Sequence, residues 1–160
     1  MHKVAHDHVA HLAEGYIEHS VAVLRKSGAR ITKPRLAVLA CLAKSEQSLS
    51  PKDLLERLQT GRKKPDVDLA TIYRILEAFH DLGLVHRVGP EGSFMACVHL
   101  ACASEMHMVA HCSSCDKTQE VDLPAAFMTL LRKHVEQGLG FQFAEHFFQM
   151  NGICRDCKSK

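Results

Sequence analysis

Cys112-Ser113-Ser114-Cys115 and Cys154-Arg155-Asp156-Cys157 are two C-x-x-C pairs in one chain. Each pair is a chelate hook, because two thiolates at this spacing can grip a single ion from one short turn. Together they offer the four sulfurs of a closed tetrahedral structural zinc site. The stretch between the hooks, Asp116 to Ile153, is longer than in a compact zinc finger. The metal would therefore tie the C-terminal tail to a strand and turn near residue 112, across an intervening helix and strand. A redox dithiol and buried free thiols are the competing readings. A redox C-x-x-C usually opens a helix inside a thioredoxin pattern, and that pattern is missing.

Further donors remain once those four thiols are used. If a hairpin turns at Pro90 to Ser93, Gly89 faces Phe94, Val88 faces Met95 and His86 faces Cys97. Directly opposed side chains have Cβ atoms about 5 Å apart, close enough to share one ion. His107 and His111 precede the first hook, and Glu120 follows it on a return strand expected over Lys117 to Asp122. A site of His and Glu around one thiolate is more open and exchangeable than a four-cysteine site, which suits sensing. The N-terminal His2, His6, His8, His11 and His19 read as solvated, and Cys41 reads as a small core residue.

The elements that must position these donors emerge from composition and periodicity. Of the 160 residues, 46% are apolar and 24% charged, the balance of a soluble globular chain with a real core. No apolar run is long enough to span a membrane, and the first residues lack the apolar stretch of a signal peptide. The expected compartment is the reducing cytoplasm, where seven cysteines serve metals better than disulfides. Residues 1–90 carry 14 Lys and Arg against 10 Asp and Glu, a balance of +4, and one cysteine. Residues 91–160 carry 6 against 8, a balance of −2, and the other six cysteines. A basic half and a thiol-rich acidic half predict two domains, 1–90 and 91–160.

The first half reads as four helices closed by a hairpin. Tyr16, Ile17, Val21 and Leu24 mark a helix over about 7–27, which Gly28 can end. Pro34 opens a second helix carrying Leu36, Leu39 and Leu42. Ser50-Pro51-Lys52-Asp53 opens a third in the manner of a capping box, with Leu54, Leu55 and Leu58 inward. The fourth, about Leu69 to Leu82, is capped by Asp68 and ended by Gly83. On it Ile72, Ile75, Leu76 and Phe79 share one face, and Ala70, Tyr73, Arg74 and Glu77 share the other. Strands over Leu84–Val88 and Phe94–Val98 follow. Helices followed by a hairpin have the order of a winged helix-turn-helix, whose second motif helix enters the DNA major groove. Arginine there can address guanine, while Arg30, Lys33, Arg35 and Arg62-Lys63-Lys64 supply phosphate contacts. Downstream, a helix over Pro124 to about Gln137 and a strand over Phe141–Phe148 are expected.

Four motifs in order, Gly28-Ala29-Arg30-Ile31-Thr32-Lys33-Pro34-Arg35, Leu69-Ala70-Thr71-Ile72-Tyr73-Arg74, Leu82-Gly83-Leu84-Val85-His86-Arg87 and the two hooks with Gly152 before the second, give the chain a family likeness. From about residue 16 to 157 it resembles the ferric uptake regulator superfamily. The resemblance implies an α+β fold, with an N-terminal winged helix-turn-helix domain and a small C-terminal α/β dimerisation domain. It also implies a homodimeric, metal-dependent transcription factor, a repressor that is not an enzyme. Tyr73 and Arg74 match the recognition-helix pair that contacts bases, and Arg30 matches a basic position that reaches the minor groove. Cys112, Cys115, Cys154 and Cys157 match the structural zinc ligands.

Within the superfamily, the zinc uptake regulator branch is similar at His86, at Cys97 and at Glu120. Where that branch places its fourth ligand, a histidine, this chain has Glu105. His107 is taken as the fourth ligand, with His99 and Cys102 as alternatives. His146 matches a secondary-site ligand of the iron sensors. The resemblance thus implies a structural zinc and a second, regulatory metal. The thiolate at Cys97 favours Zn²⁺ there, with Fe²⁺ or Mn²⁺ as alternatives. An iron- or peroxide-responsive regulator is the runner-up. A zinc enzyme would need an open coordination position and a general base, and no H-E-x-x-H or comparable motif is present.

Overall fold

The computed structural model describes residues 3–60, 65–89, 92–98, 107–121, 123–143 and 147–159, with residues 3–12 described by their backbone alone. The alternative ligands His99, Cys102 and Glu105, the secondary-site His146, and the basic run Arg62–Lys64 lie outside the described residues. The chain divides into two compact units, Met1–Leu100 and Ala101–Lys160. The division expected at residue 90 falls inside the hairpin turn, and both hairpin strands stay with the first unit.

In the first unit the helices are α1 (Lys3–Lys26), α2 (Lys33–Ala43), α3 (Pro51–Thr60) and α4 (Leu69–Asp81). Each begins or ends where local chemistry requires it. Gly28 and Gly83 take positive φ, +73° and +69°, just past α1 and α4, a conformation that costs side-chain-bearing residues more than glycine. Thr32 caps α2 by accepting from the Arg35 amide at 3.4 Å. The capping box of α3 closes in both directions: the Asp53 amide donates to Ser50 Oγ at 3.2 Å, and the Ser50 amide donates to Asp53 Oδ2 at 2.9 Å. Asp68 caps α4 by accepting from the Thr71 amide at 2.7 Å.

Tyr16, Leu24, Val38, Leu39, Leu54, Ile72, Leu76 and Phe79 form one buried cluster. Of the leucines read on α2, Leu39 and Leu42 are buried and Leu36 is exposed, while Val38 also occupies the core. The buried Tyr16 hydroxyl donates to the Leu84 carbonyl at 2.9 Å, tying α1 to the entry of the hairpin.

The hairpin strands are β1 (Val85–Val88) and β2 (Ser93–Ala96), antiparallel. Their register differs from expectation by two residues: Val88 faces Ser93, and His86 faces Met95 rather than Cys97. The turn is centred earlier, with Gly89 and Gly92 both at positive φ and the Gly92 amide donating to the Gly89 carbonyl. A two-residue shift preserves alternation, so His86 and Cys97 remain on one face as diagonal neighbours. Leu49, just before α3, adds a third backbone segment by exchanging two 2.8 Å hydrogen bonds with Phe94.

The second unit contains β3 (His107–Cys112), β4 (Thr118–Val121), α5 (Ala125–Lys133), β5 (Phe147–Gly152) and α6 (Arg155–Lys158). The sheet order is β4-β3-β5, with β3 antiparallel to β4 and parallel to β5. Past Lys133 the helix widens into a π-turn over His134–Gly138. The strand expected over Phe141–Phe148 begins later. The Leu139 and Phe141 amides both donate to the Val135 carbonyl, and Gly140 has φ +71°, so those residues close the helix end and cannot feed a ladder. No helix among the described residues is long and apolar enough to cross a membrane.

Ser50→Ala is expected to cost about 1 kcal/mol of first-unit stability, the usual loss for a cap of this type, read by urea denaturation. The Ser50 hydroxyl and amide hold the Asp53 carboxyl below its ordinary value of 3.8. Its contribution is therefore complete above that value and lost as pH falls through the lowered one. The Ser50→Ala chain should accordingly show a smaller stability loss between neutral and strongly acidic pH.

Candidate metal centres and nucleic-acid face

The parallel pairing of β3 with β5 creates the thiol cluster. Cys112 at the end of β3 lies opposite Gly152 at the end of β5, and the Ser113 amide donates to the Gly152 carbonyl at 2.9 Å. The two hooks extend from these paired ends, and the ligand sulfurs of Cys112, Cys115, Cys154 and Cys157 lie within 4.8 Å of one another. A tetrahedron with Zn–S bonds of about 2.3 Å has edges of roughly 3.8 Å, and the Cys115 and Cys154 sulfurs are 3.8 Å apart.

The cluster's electrostatics also call for a cation. The Cys154 and Ser114 amides aim at the Cys112 sulfur and hold its thiol down to about 6. At Cys115 the Lys117 amide favours the thiolate. The neighbouring Cys157 thiol, burial, and the Cys112 and Cys154 thiols outweigh it, pushing Cys115 up to about 12. The hydrogen bond between Cys115 and Cys112 favours the thiol at Cys115 and the thiolate at Cys112. A soft divalent ion removes the conflict by deprotonating all four. The donor set and spacing therefore fit a Cys₄ zinc ion.

The remaining candidate donors lie in two pairs, one in each unit. His86 on β1 is fully buried and Cys97, just past β2, is 3% exposed; the Cys97 amide donates to the Leu84 carbonyl at 3.0 Å, continuing the ladder. In the second unit, Glu120 lies opposite Val109, so it shares a face with His107 two residues away. His107 Nε2 and Glu120 Oε1 are 3.8 Å apart with both side chains 4% exposed, and His107 stacks on Phe147 with ring centroids 6.3 Å apart. Imidazole and carboxylate buried to this degree are unusual outside paired or metal-bound settings, whereas a buried thiol such as Cys97 is ordinary by itself.

On the first unit, α4 buries Ile72, Ile75, Leu76 and Phe79 and presents Tyr73 and Arg74 outward. Arg30, Arg35, Thr71 and Arg74 line a shallow cavity of about 330 Å³ at the start of α2. The Arg35 guanidinium donates to the Arg30 carbonyl at 2.7 Å, and Arg74 donates to Thr71 Oγ1 at 3.2 Å. Three arginines beside a helix N-terminus provide positive potential for a phosphate backbone.

The sequence profile described as the Ferric uptake regulator family matches residues 26–151. The chain belongs to the ferric uptake regulator family. Membership makes it a metal-dependent, DNA-binding regulator. Among curated relatives, the "Peroxide-responsive repressor PerR" of Staphylococcus saprophyticus is 28% identical over 148 residues, covering 92% of this chain and 95% of the relative. The "Ferric uptake regulation protein" of Neisseria gonorrhoeae is 28% identical over 142 residues, covering 88% and 94%. Among solved structures, a zinc uptake regulator complexed with zinc and DNA superposes with a TM-score of 0.74 at 20% identity, covering 92% of this chain and 95% of that one. That likeness establishes the shared fold.

Beside the four cysteines of this ferric uptake regulator family member, Asp116 is a residue that spacing alone does not single out. It follows the first hook at φ +57°, and its carboxylate lies 3.2 Å from His111 Nε2. The available signal is its type, since Asp and Asn tolerate the left-handed conformation that ends tight turns.

Cys115→Ser and Cys157→Ser are each expected to lower tightly held zinc by one ion per chain, measured by elemental analysis after dialysis against a chelator. The segment from Phe147 to Lys160 should become protease-sensitive in the same variants.

Proposed function

We propose that this protein is a zinc-responsive repressor that binds a pseudo-palindromic operator as a homodimer, with zinc as corepressor. Cys97 carries the reading. A buried thiol on the hairpin face that also bears His86 supplies the soft donor that separates a zinc site from the harder oxygen- and nitrogen-rich sites suited to Fe²⁺ or Mn²⁺. His86 and Cys97 from the first unit, with His107 and Glu120 from the second, are the proposed regulatory ligands. Cys112, Cys115, Cys154 and Cys157 are the proposed structural zinc ligands.

The mechanism follows from where the donors sit in the chain. His86 and Cys97 belong to the hairpin that follows α4, and His107 and Glu120 belong to the sheet of the other unit. Residues of both units holding one ion would restrict the angle between them. Only differential affinity for the restricted state can shift such an equilibrium, so ligands from both units are a requirement of the mechanism. In a dimer the restriction sets the distance between two α4 helices, which must match half-sites about one helical turn apart. Tyr73 and Arg74 would then read bases, and Arg30 would enter the minor groove.

Exposed apolar residues support a second copy as the partner. No residue of α5 is buried, and Phe127 and Leu130 stand 50% and 67% exposed. Leu139, Phe141, Met150 and Ile153 in the same unit are also more than half exposed or nearly so, more apolar surface than so small a unit normally leaves in water. Among the described residues, β5 is an edge strand of the sheet.

Operator-binding titrations with Zn²⁺, Fe²⁺ and Mn²⁺ test the reading. Zinc alone should give full affinity at the lowest free metal concentration; a preference for Fe²⁺, or release by peroxide, would instead select an iron or peroxide sensor. Cys97→Ser should retain the tightly held zinc while losing zinc-dependent DNA binding. Arg74→Ala should weaken operator binding by roughly tenfold or more, as loss of a base-reading arginine does, with the fold intact by circular dichroism.

A further inference from the structure

The knuckle that carries the first hook is braced by a side-chain pair with no place among the ligands. His111, the last β3 residue before Cys112, is 5% exposed. Its Nε2 lies 3.2 Å from Oδ1 of Asp116, the first residue after Cys115. Ionised aspartate only accepts, so Nε2 carries the proton of this bond. The two residues therefore flank the whole chelate loop and join its two ends above the backbone closure. That closure is itself tight: the Asp116 amide donates to the Cys112 carbonyl at 3.0 Å, and the Cys112 amide donates to the Lys117 carbonyl at 2.9 Å.

Asp116 meets two requirements at once. It is the only described residue other than glycine with positive φ, +57°, and glycine would satisfy that backbone demand at lower conformational cost. Glycine could not, however, supply the carboxylate. A carboxylate 71% exposed reaching an imidazole 3% exposed places one end of the brace on the interior sheet and the other on the solvent side of the turn.

We propose that His111 and Asp116 are positioning residues that hold the Cys112–Cys115 knuckle in its zinc-binding geometry and so slow release of the structural zinc. The proposal rests on the reading of the four cysteines as a zinc site. A bond of this kind is worth roughly a tenfold step in an equilibrium or a rate when one partner is charged. Its loss leaves the four ligands in place and removes only the preorganisation.

The test is the rate of zinc transfer from full-length, zinc-loaded protein to a coloured chelator, in the wild type and in Asp116→Gly, Asp116→Asn, His111→Leu and the Asp116→Gly/His111→Leu double variant. Melting curves run in parallel. Asp116→Gly should speed release about tenfold despite relieving the backbone, and Asp116→Asn, which keeps an acceptor, should lie between it and the wild type. The double variant should release zinc no faster than its quicker single parent, because both changes break one bond. Additive effects, or Asp116→Gly releasing zinc at the wild-type rate, would overturn the brace. Should a His111→Leu chain fail to fold, the Asp116 pair still decides. Wild-type protein that holds no zinc would overturn the four-cysteine reading itself, and the brace with it.

Discussion

The second unit depends on four sulfurs that cannot all be charged alone. Cys112 is drawn toward the thiolate by the amides of Cys154, Ser114 and Cys115, while Cys115 is pushed the other way by the thiols around it. Without a cation the sulfurs can share only protons, as in the contact between Cys115 and Cys154. A divalent ion turns that opposition into four bonds joining the end of β3 to α6. The unit needs the tie. None of the residues of its helix α5 is fully buried, Met128 and Leu131 being half-buried, and among the described residues its buried side chains are few: Val109, Cys112, Phe147, His107 and His111. A sheet of three short strands with so small a core is marginal without a metal or a partner.

The first unit stands on the opposite arrangement. Its core is continuous, from Tyr16 on α1 through Val38, Leu39 and Leu54 to Ile72 and Phe79 on α4, and its helix ends are closed by side chains. Such a unit can hold α4 rigid while the exposed Tyr73 and Arg74 remain available to a groove. Arg87 links the hairpin to that helix: it pairs with Glu77 of α4 and lies over the Phe94 ring, 5.3 Å from its centroid. β1 thus carries buried His86 on one face and, next to it, a contact from Arg87 to α4 on the other. A displacement of His86 therefore has a short covalent and ionic route to α4, whose exposed face is the one proposed to read DNA.

How much of this was legible in the sequence depends on the range of the interaction concerned. Caps and stops were readable because their chemistry lies within four residues: Ser50 with Asp53, Asp68 with Thr71, Gly28 and Gly83 past their helices. The inward face of α4 was readable from period alone. The hairpin register was not, because Gly89-Pro90-Glu91-Gly92 allows more than one turn centre and the choice is made by pairing at a distance, including Leu49 with Phe94. The start of β5 was missed for a related reason. Phe141 looks like a strand residue by type, but its amide is taken by the Val135 carbonyl at the π-turn. Leu36 and Val38 show the same limit on a helix where nearly every residue is apolar: period cannot rank faces that all read alike. The four-cysteine site was legible because its spacing is its chemistry, whereas the bond from His111 to Asp116 needs a backbone angle that no spacing reports.

The register shift shows why the proposed regulatory donors tolerate errors that would destroy the structural site. Moving the pairing by two residues changes the partner of His86 from Cys97 to Met95 and leaves both donors on one face, since strand alternation has a period of two. A shift of one would have sent His86 and Cys97 to opposite faces. The constraint on the hairpin is thus parity, which the turn glycines and the Leu49 pairing fix together. The hooks face a stricter one. A chelate loop closed by hydrogen bonds at both ends has no equivalent register to slip into, because any insertion changes which sulfur meets which. Tight closure suits a metal meant to stay, and diagonal donors on a hairpin suit one meant to come and go. The contrast in backbone constraint therefore parallels the contrast in exchange that a structural metal and the proposed regulatory metal would require within one chain.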